Sequence, residues 1–200
     1  MKRNDTYTRT QSILLAKIGD MSEDTKNAAE AGNINIEDQS YFKRVEISGK
    51  ASLFNILKND DSIEDGICNI SKQKIDQGSN IAVDRISVKV ATSTAEGASA
   101  GSVIYKDILQ CTDPAVVNAE LEVWVKQVKV FSAPLSEFTQ EIACGHSQGC
   151  NINLTAPKLI TDTDEIQLRV KFPEDATVST ASSTKTFLEV LLNGSAIRNK

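Results

Sequence analysis

The chain has 200 residues, 40% of them hydrophobic and 24% charged, with a net charge of −5 and a pI near 5.0. That composition suits one globular domain with a sizeable core, or one domain with an extension, and leaves two full sandwich domains cramped. The acidic balance argues against a dedicated nucleic-acid binder, which carries a basic face, and no stretch approaches the roughly 20 apolar residues of a bilayer span.

The first residues are basic, with Lys2, Arg3 and Arg9. Ile13, Leu14, Ile18 and Met21 follow at spacings that suit a short amphipathic helix. The apolar run from Ile13 to Ala16 is shorter than the roughly 7–15 residues of a signal-peptide core, which predicts synthesis in a reducing compartment without export by that route. Helix-friendly composition resumes over Thr25–Ala31 and stops at Gly32. Residues 1–32 therefore read as a partly helical N-terminal arm, and residues 33–200 as the folded body. A helix packed on the sheet is the plainer alternative. As an arm, Lys2, Arg3 and Arg9 would make weak, salt-sensitive contacts with phosphates or lipid headgroups, and Ile13, Leu14 and Ile18 would supply its apolar face; a frayed terminus is the alternative.

The body reads as strands. Ile86, Val88 and Val90 alternate with polar residues, while Ile81 and Val83 upstream have the opposite parity. Either that strand is buried on both faces or a bulge sits near Asp84-Arg85. Leu121, Val123 and Val125 point one way with Glu120, Glu122 and Trp124 opposed, and the parity changes after Lys126-Gln127. That change predicts a tight hairpin, although Lys-Gln is a poor substitute for Asn-Gly; a long bulged strand is the alternative. Ile166, Leu168, Val170 and Phe172 alternate up to Pro173, and Leu188, Val190 and Leu192 up to Asn193-Gly194. Weaker strand candidates are Tyr41–Ile47, Val103–Leu109 and Asn151–Thr155, and helical turns are expected at Ser52–Leu57 and Pro134–Thr139. Loops are expected over Thr92–Ser102, Gly145–Gly149, Thr161–Asp164 and Glu174–Thr184. About eight strands with little helix predict an all-β antiparallel sandwich, with a single jelly roll as the leading topology and an immunoglobulin-like sandwich second.

The candidate chemistry is thin. Cys144, His146 and Cys150 crowd one stretch, but structural zinc wants four ligands, and Cys68 and Cys111 are isolated and distant in sequence. A Gly-rich connection flanked by small cysteines is the plainer reading, with a local disulfide as a further alternative. A thiol nucleophile with His146 as base would need an orienting third group and an oxyanion hole that no sequence feature supplies. His146 is the chain's one histidine, which excludes a cupin-type metal site. Asp162, Asp164 and Glu165 could offer oxygens to calcium, and Asp60, Asp61, Glu64 and Asp65 form a second acidic stretch; a solvated turn is the commoner meaning of both. The sequence thus predicts a non-enzymatic protein with no catalytic residue, no cofactor and no metal.

Three segments carry a resemblance: Asn80–Val90, Val117–Phe131 and Phe187–Gly194. In chain order they look like an inner strand, a central hairpin and the closing strand of the jelly-roll capsid proteins of tailless icosahedral viruses, bacteriophages in particular. The resemblance implies a structural virion protein, a major or a vertex/minor subunit, made in the host cytoplasm and built into a capsid. Its partners would be copies of itself and other capsid proteins, with the arm reaching toward genome or internal membrane and no small-molecule substrate. A β-sandwich binding module, for carbohydrate or as a fibre tip, is the competing expectation.

Overall fold

Branched and aliphatic residues at every second position favour strands, because successive side chains leave the backbone on opposite faces and one face can be buried whole. The computed structural model describes residues 10–138 and 150–199, with the backbone of 141–143 and 146–148. Helix α1 covers residues 10–16, α2 Glu23–Glu30 and α3 Pro114–Val117. The strands are β1 (Ile34–Glu46), β2 (Leu53–Asn55), β3 (Ser79–Ser93), β4 (Glu120–Val125), β5 (Val128–Pro134), β6 (Glu141–Ala143), β7 (His146–Gln148), β8 (Asn151–Ile160), β9 (Ile166–Lys171) and β10 (Lys185–Asn199). No helix among the described residues is long and apolar enough to cross a membrane.

The strands form two antiparallel four-stranded sheets, ordered β1-β10-β3-β8 and β2-β9-β4-β5, with β6-β7 as a separate small hairpin. Apart from that hairpin the strands pair from the two ends of the chain inward: β1 with β10, β2 with β9, β3 with β8, β4 with β5. The fold is an all-β sandwich. Its core lies between the sheets, where Leu121, Val123, Leu168 and Val170 of the second sheet meet Val88, Val190 and Leu192 of the first, all at 2% exposure or less. Each such side chain contributes about 1.5–3 kcal/mol when fully buried.

Two irregularities set the register. Between Val83 and Arg85 the pairing of β3 slips by one residue against β10, so Asp84 is the extra residue of a bulge, and the pairing with β8 breaks at the same point, passing from Val83–Lys158 to Arg85–Asn153. The bulge restores the inward parity of Ile81 and Val83. Ser79 to Val83 are nevertheless buried on both faces, because the N-terminal helices cover the outside of this sheet. Both sequence alternatives for this strand are therefore realised. In the second sheet, β4 and β5 are joined through Lys126 and Gln127 at φ 51° and 63°. Two consecutive positive φ values fit a two-residue turn whose twist matches the strands, and they explain how Lys-Gln does what Asn-Gly usually does.

Local signals at the helices hold where capping chemistry supports them. The Ser22 hydroxyl accepts from Thr25 N–H at 3.4 Å at the start of α2. The helix stops where Gly32 takes φ 71°, letting Asn33 N–H reach Ala28 O at 2.7 Å.

Several expected elements differ. Ser52–Leu57 is not a helical turn: Leu53–Asn55 is strand β2, paired with Arg169–Lys171. Val103–Leu109 is not a strand but a crossing segment, with one bridge from Lys106 to Val90 and a 3-10 turn over Ile108–Gln110 whose N-cap is Asp107. The last strand does not end at Asn193-Gly194 but runs through it to Asn199. The expected loop over Gly145–Gly149 contains strand residues His146–Gln148, and that over Thr92–Ser102 begins inside β3. Leu135–Glu137 is a 3-10 turn, as expected of that stretch.

Candidate interaction surface

The two outer faces of the sandwich differ, because the chain covers one of them itself. On the β1-β10-β3-β8 sheet, Leu14 is fully buried and Met21 is 4% exposed, packed with Ala82 and Ile197, while Ile13 and Ile18 are half-buried beside them. Polar contacts pin the same segment: Thr10 Oγ1 lies 2.8 Å from Ser195 Oγ, and Asn80 Nδ2 donates to Thr25 Oγ1 at 3.3 Å. The apolar face of Ile13, Leu14 and Ile18 thus serves the chain's own sheet. Lys2, Arg3 and Arg9 lie outside the described residues. Truncating Leu14 to alanine should cost about 2 kcal/mol, seen as a lower urea midpoint, and should open residues 10–21 to proteolysis.

The other sequence candidates resolve into structural roles. Asp162 Oδ2 accepts from Gly78 N–H at 2.7 Å, Asp164 Oδ2 accepts from Thr161 N–H at 2.9 Å, and Asp164 Oδ1 pairs with Lys126 Nζ at 2.7 Å. These carboxylates tie neighbouring loops together. Asp61 does the same, receiving Lys43 Nζ and Lys58 N–H, each at 2.9 Å. No group of three or more His, Cys, Asp or Glu among the described residues is placed to hold a metal ion. Cys144, Gly145, Gly149 and the His146 side chain lie outside the described residues. Cys68, Cys111 and Cys150 are buried free thiols, and burial pushes all three up from the ordinary thiol value. Asp107, 3.6 Å from the Cys150 sulfur, adds to the rise there. A thiol held protonated is a poor nucleophile.

Among the described residues no helix makes more than slight contact with the second sheet, and on its outer face the polar parity of β4 and β9 builds an ordered surface. Trp124, half-buried, lies under the Arg169 guanidinium at 4.6 Å from its ring centroid, with Lys129 Nζ at 5.9 Å. The indole N–H donates to Glu122 Oε2 at 2.8 Å, and Lys129 Nζ reaches Glu122 Oε1 at 3.2 Å. Arg169 also donates to Gln167, whose amide donates to Glu165 at 2.6 Å. Burial of Glu122, which is 8% exposed, works against its ionisation, but the indole, Lys129 and Arg169 outweigh it and hold the carboxyl below its ordinary value of 4.5. The sign follows: the stability that Glu122 contributes is complete above its ordinary value and is lost as pH falls through the lowered one. Acid titration of Trp124 fluorescence should therefore show a transition centred below 4.5 that Glu122→Gln abolishes. A titration unchanged by that substitution would place the transition elsewhere.

Register makes the surface regular. Glu120 faces Lys171, Glu122 faces Arg169 and Trp124 faces Gln167 across β4 and β9. The alternation of β4 sets Glu120, Glu122 and Trp124 on the polar side of the strand without giving them a role. The available signal was a tryptophan on the wrong parity of an amphipathic strand.

Comparison with known proteins adds little to this geometry. No family model and no curated protein matches the chain. Among solved structures, dimeric latent PorU from Porphyromonas gingivalis aligns with a TM-score of 0.27 at 9% identity, over 81% of this chain and 13% of that one. So slight a likeness says nothing about fold or function.

Proposed function

We propose that this sandwich is a jelly roll and that the chain is a structural subunit of an icosahedral virion, assembling through lateral contacts with copies of itself and with other capsid proteins. The observation that carries the reading is the strand order. Pairing from both chain ends inward, with successive pairs alternating between the two sheets, is what results when one long antiparallel ribbon is rolled up. Jelly rolls of eight principal strands recur in viral capsids. Trp124 on the outer face, rather than buried beside an inter-sheet disulfide, counts against an immunoglobulin-like sandwich. Ile104 at 81% exposure and Leu109 at 62%, on the segment between β3 and β4, leave apolar surface for neighbours.

The competing reading, a carbohydrate-binding module, needs a bare aromatic face for a sugar ring. Arg169 covers that of Trp124. On the capsid reading no residue is catalytic and no cofactor is required.

Negative-stain microscopy and sedimentation of the purified chain, across salt and pH, test the proposal. Particles or defined oligomers are expected. A chain that stays monomeric in every condition and is missing from purified virions would end the capsid reading, and saturable binding on a glycan array would favour the binding module.

A further inference from the structure

We propose that the outer face of the β2-β9-β4-β5 sheet is a two-fold contact between two copies of this chain, and the partner in this inference rests on reading the chain as a self-assembling subunit. On this face β9 carries a cationic column, Lys171 and Arg169, directly beside the anionic column of β4, Glu120 and Glu122. The two columns stand level, residue for residue, and among the described residues no ion pair joins them within the chain. Instead Glu122 turns to Lys129 and the indole N–H, and Arg169 lies on Trp124 with its Nε buried and unpaired.

Two stripes of opposite charge side by side are self-complementary under one operation. A two-fold axis along the strands, running between β4 and β9, lays a second copy face down with its columns exchanged. Lys171 of each copy then stands over Glu120 of the other, Arg169 over Glu122, and Gln167 over Trp124. A two-fold contact uses the same patch on both subunits, and strands of two packed faces can stay within about 30° of parallel, as this axis requires. Lys171 is exposed and Glu120 half-buried, so this outer pair is open to a second copy, whereas Arg169 Nε and Glu122 are buried within the chain. Tryptophan and arginine at the centre are what energetically dominant contact sites are enriched in. On the other sheet, α1 and the residues that follow it already cover Ala82 and Ile197.

The face is small. Three strands of about 20 Å bury on the order of 700 Å² in total, the size of a weak contact that an assembly strengthens by repetition.

Sedimentation equilibrium of the full chain, from micromolar to millimolar, should show a monomer–dimer equilibrium that weakens with salt. Glu120→Lys alone and Lys171→Glu alone should each raise the dissociation constant about tenfold, because each puts like charges together twice across the axis. The double variant, Glu120→Lys with Lys171→Glu, reverses both ends of each contact and should return to the wild-type value. Circular dichroism melts of all four proteins separate a folding defect from a contact defect. A wild-type chain monomeric at every concentration, or a double variant as weak as the sum of the singles, overturns the proposal. If particles form equally well from the single variants, this face is not the contact while the capsid reading stands. If the exchange behaves as described but no particle forms, the contact stands and the capsid reading fails.

Discussion

Replacing Gly194 with alanine should cost about 3 kcal/mol or more, or prevent folding altogether, because backbone has no way to yield there. A Cβ on this residue would lie 2.0 Å from Ala82 O, 2.8 Å from Ala82 C and 2.9 Å from Val83 Cα. The cause is the bulge. Where Asp84 is extruded from β3, the pairing with β10 slips between Asn193 and Gly194, and the two backbones close on one another. Glycine is used here for its missing side chain. One comparison makes the result interpretable. Gly19→Ala, with nothing within 4 Å of the added atom, should stay within about 0.5 kcal/mol of wild type. Urea unfolding followed by circular dichroism measures both. If Gly194→Ala unfolds at the wild-type midpoint, the bulge does not bring the strands together as described.

The same pair of residues shows what the sequence disclosed and what it withheld. The parity break between Val83 and Ile86 placed the bulge correctly, because a single inserted residue must invert every later side chain. Asn193-Gly194, however, stands in the sequence as the limit of the last alternating run. Nothing local indicates that a bulge in β3, far back in the sequence, packs against its glycine. Length and alternation gave β3, β4, β9 and the hairpin at Lys126-Gln127, where burial of one face dictates the pattern. They failed at β2, three residues whose pairing with β9 is decided by tertiary context rather than by propensity. They failed again at Val103–Leu109, a crossing segment that ends in a 3-10 turn over Ile108–Gln110 and leaves Ile104 and Leu109 exposed.

The outer surface was less legible for a different reason. The roles of Glu122, Trp124 and Arg169 depend on strands β4 and β9 being neighbours, and their sequence positions are far apart. Alternation told which side of the strand each residue takes, but only the β4-β9 register shows that cations and carboxylates stand level. Conversely, the amphipathic spacing of Ile13, Leu14 and Ile18 identified an apolar face. Whether it meets another molecule or the chain's own sheet was settled by Ala82 and Ile197, which the bulge and the long β10 turn outward beneath it.

Glu189→Ala is expected to lose about 3 kcal/mol, more than any surface charge, because it strips the partner from a row of ions on the covered face of the first sheet. Glu189 is 3% exposed; its Oε2 accepts from Arg44 Nε at 2.6 Å and its Oε1 lies 3.6 Å from Lys89 Nζ. The three residues come from β1, β10 and β3 and stand opposite one another in register. Arg44 extends the network, donating to Gly66 O at 2.7 Å and stacking on Tyr105 at 5.1 Å. The carboxylate therefore helps fix both the alignment of three strands and the segment that crosses above them. Glu189→Gln keeps the shape and one hydrogen bond, and should cost about half as much. A third variant separates stability from alignment. Replacing the pair together, Glu189→Leu with Arg44→Met, removes the buried carboxylate with its half-buried partner and should recover most of the loss, since well-packed apolar residues commonly match a buried ion pair. If the double variant is as unstable as Glu189→Ala, the ions contribute a register that packing alone does not restore. Should Glu189→Ala itself unfold within about 0.5 kcal/mol of wild type, the row contributes nothing to either.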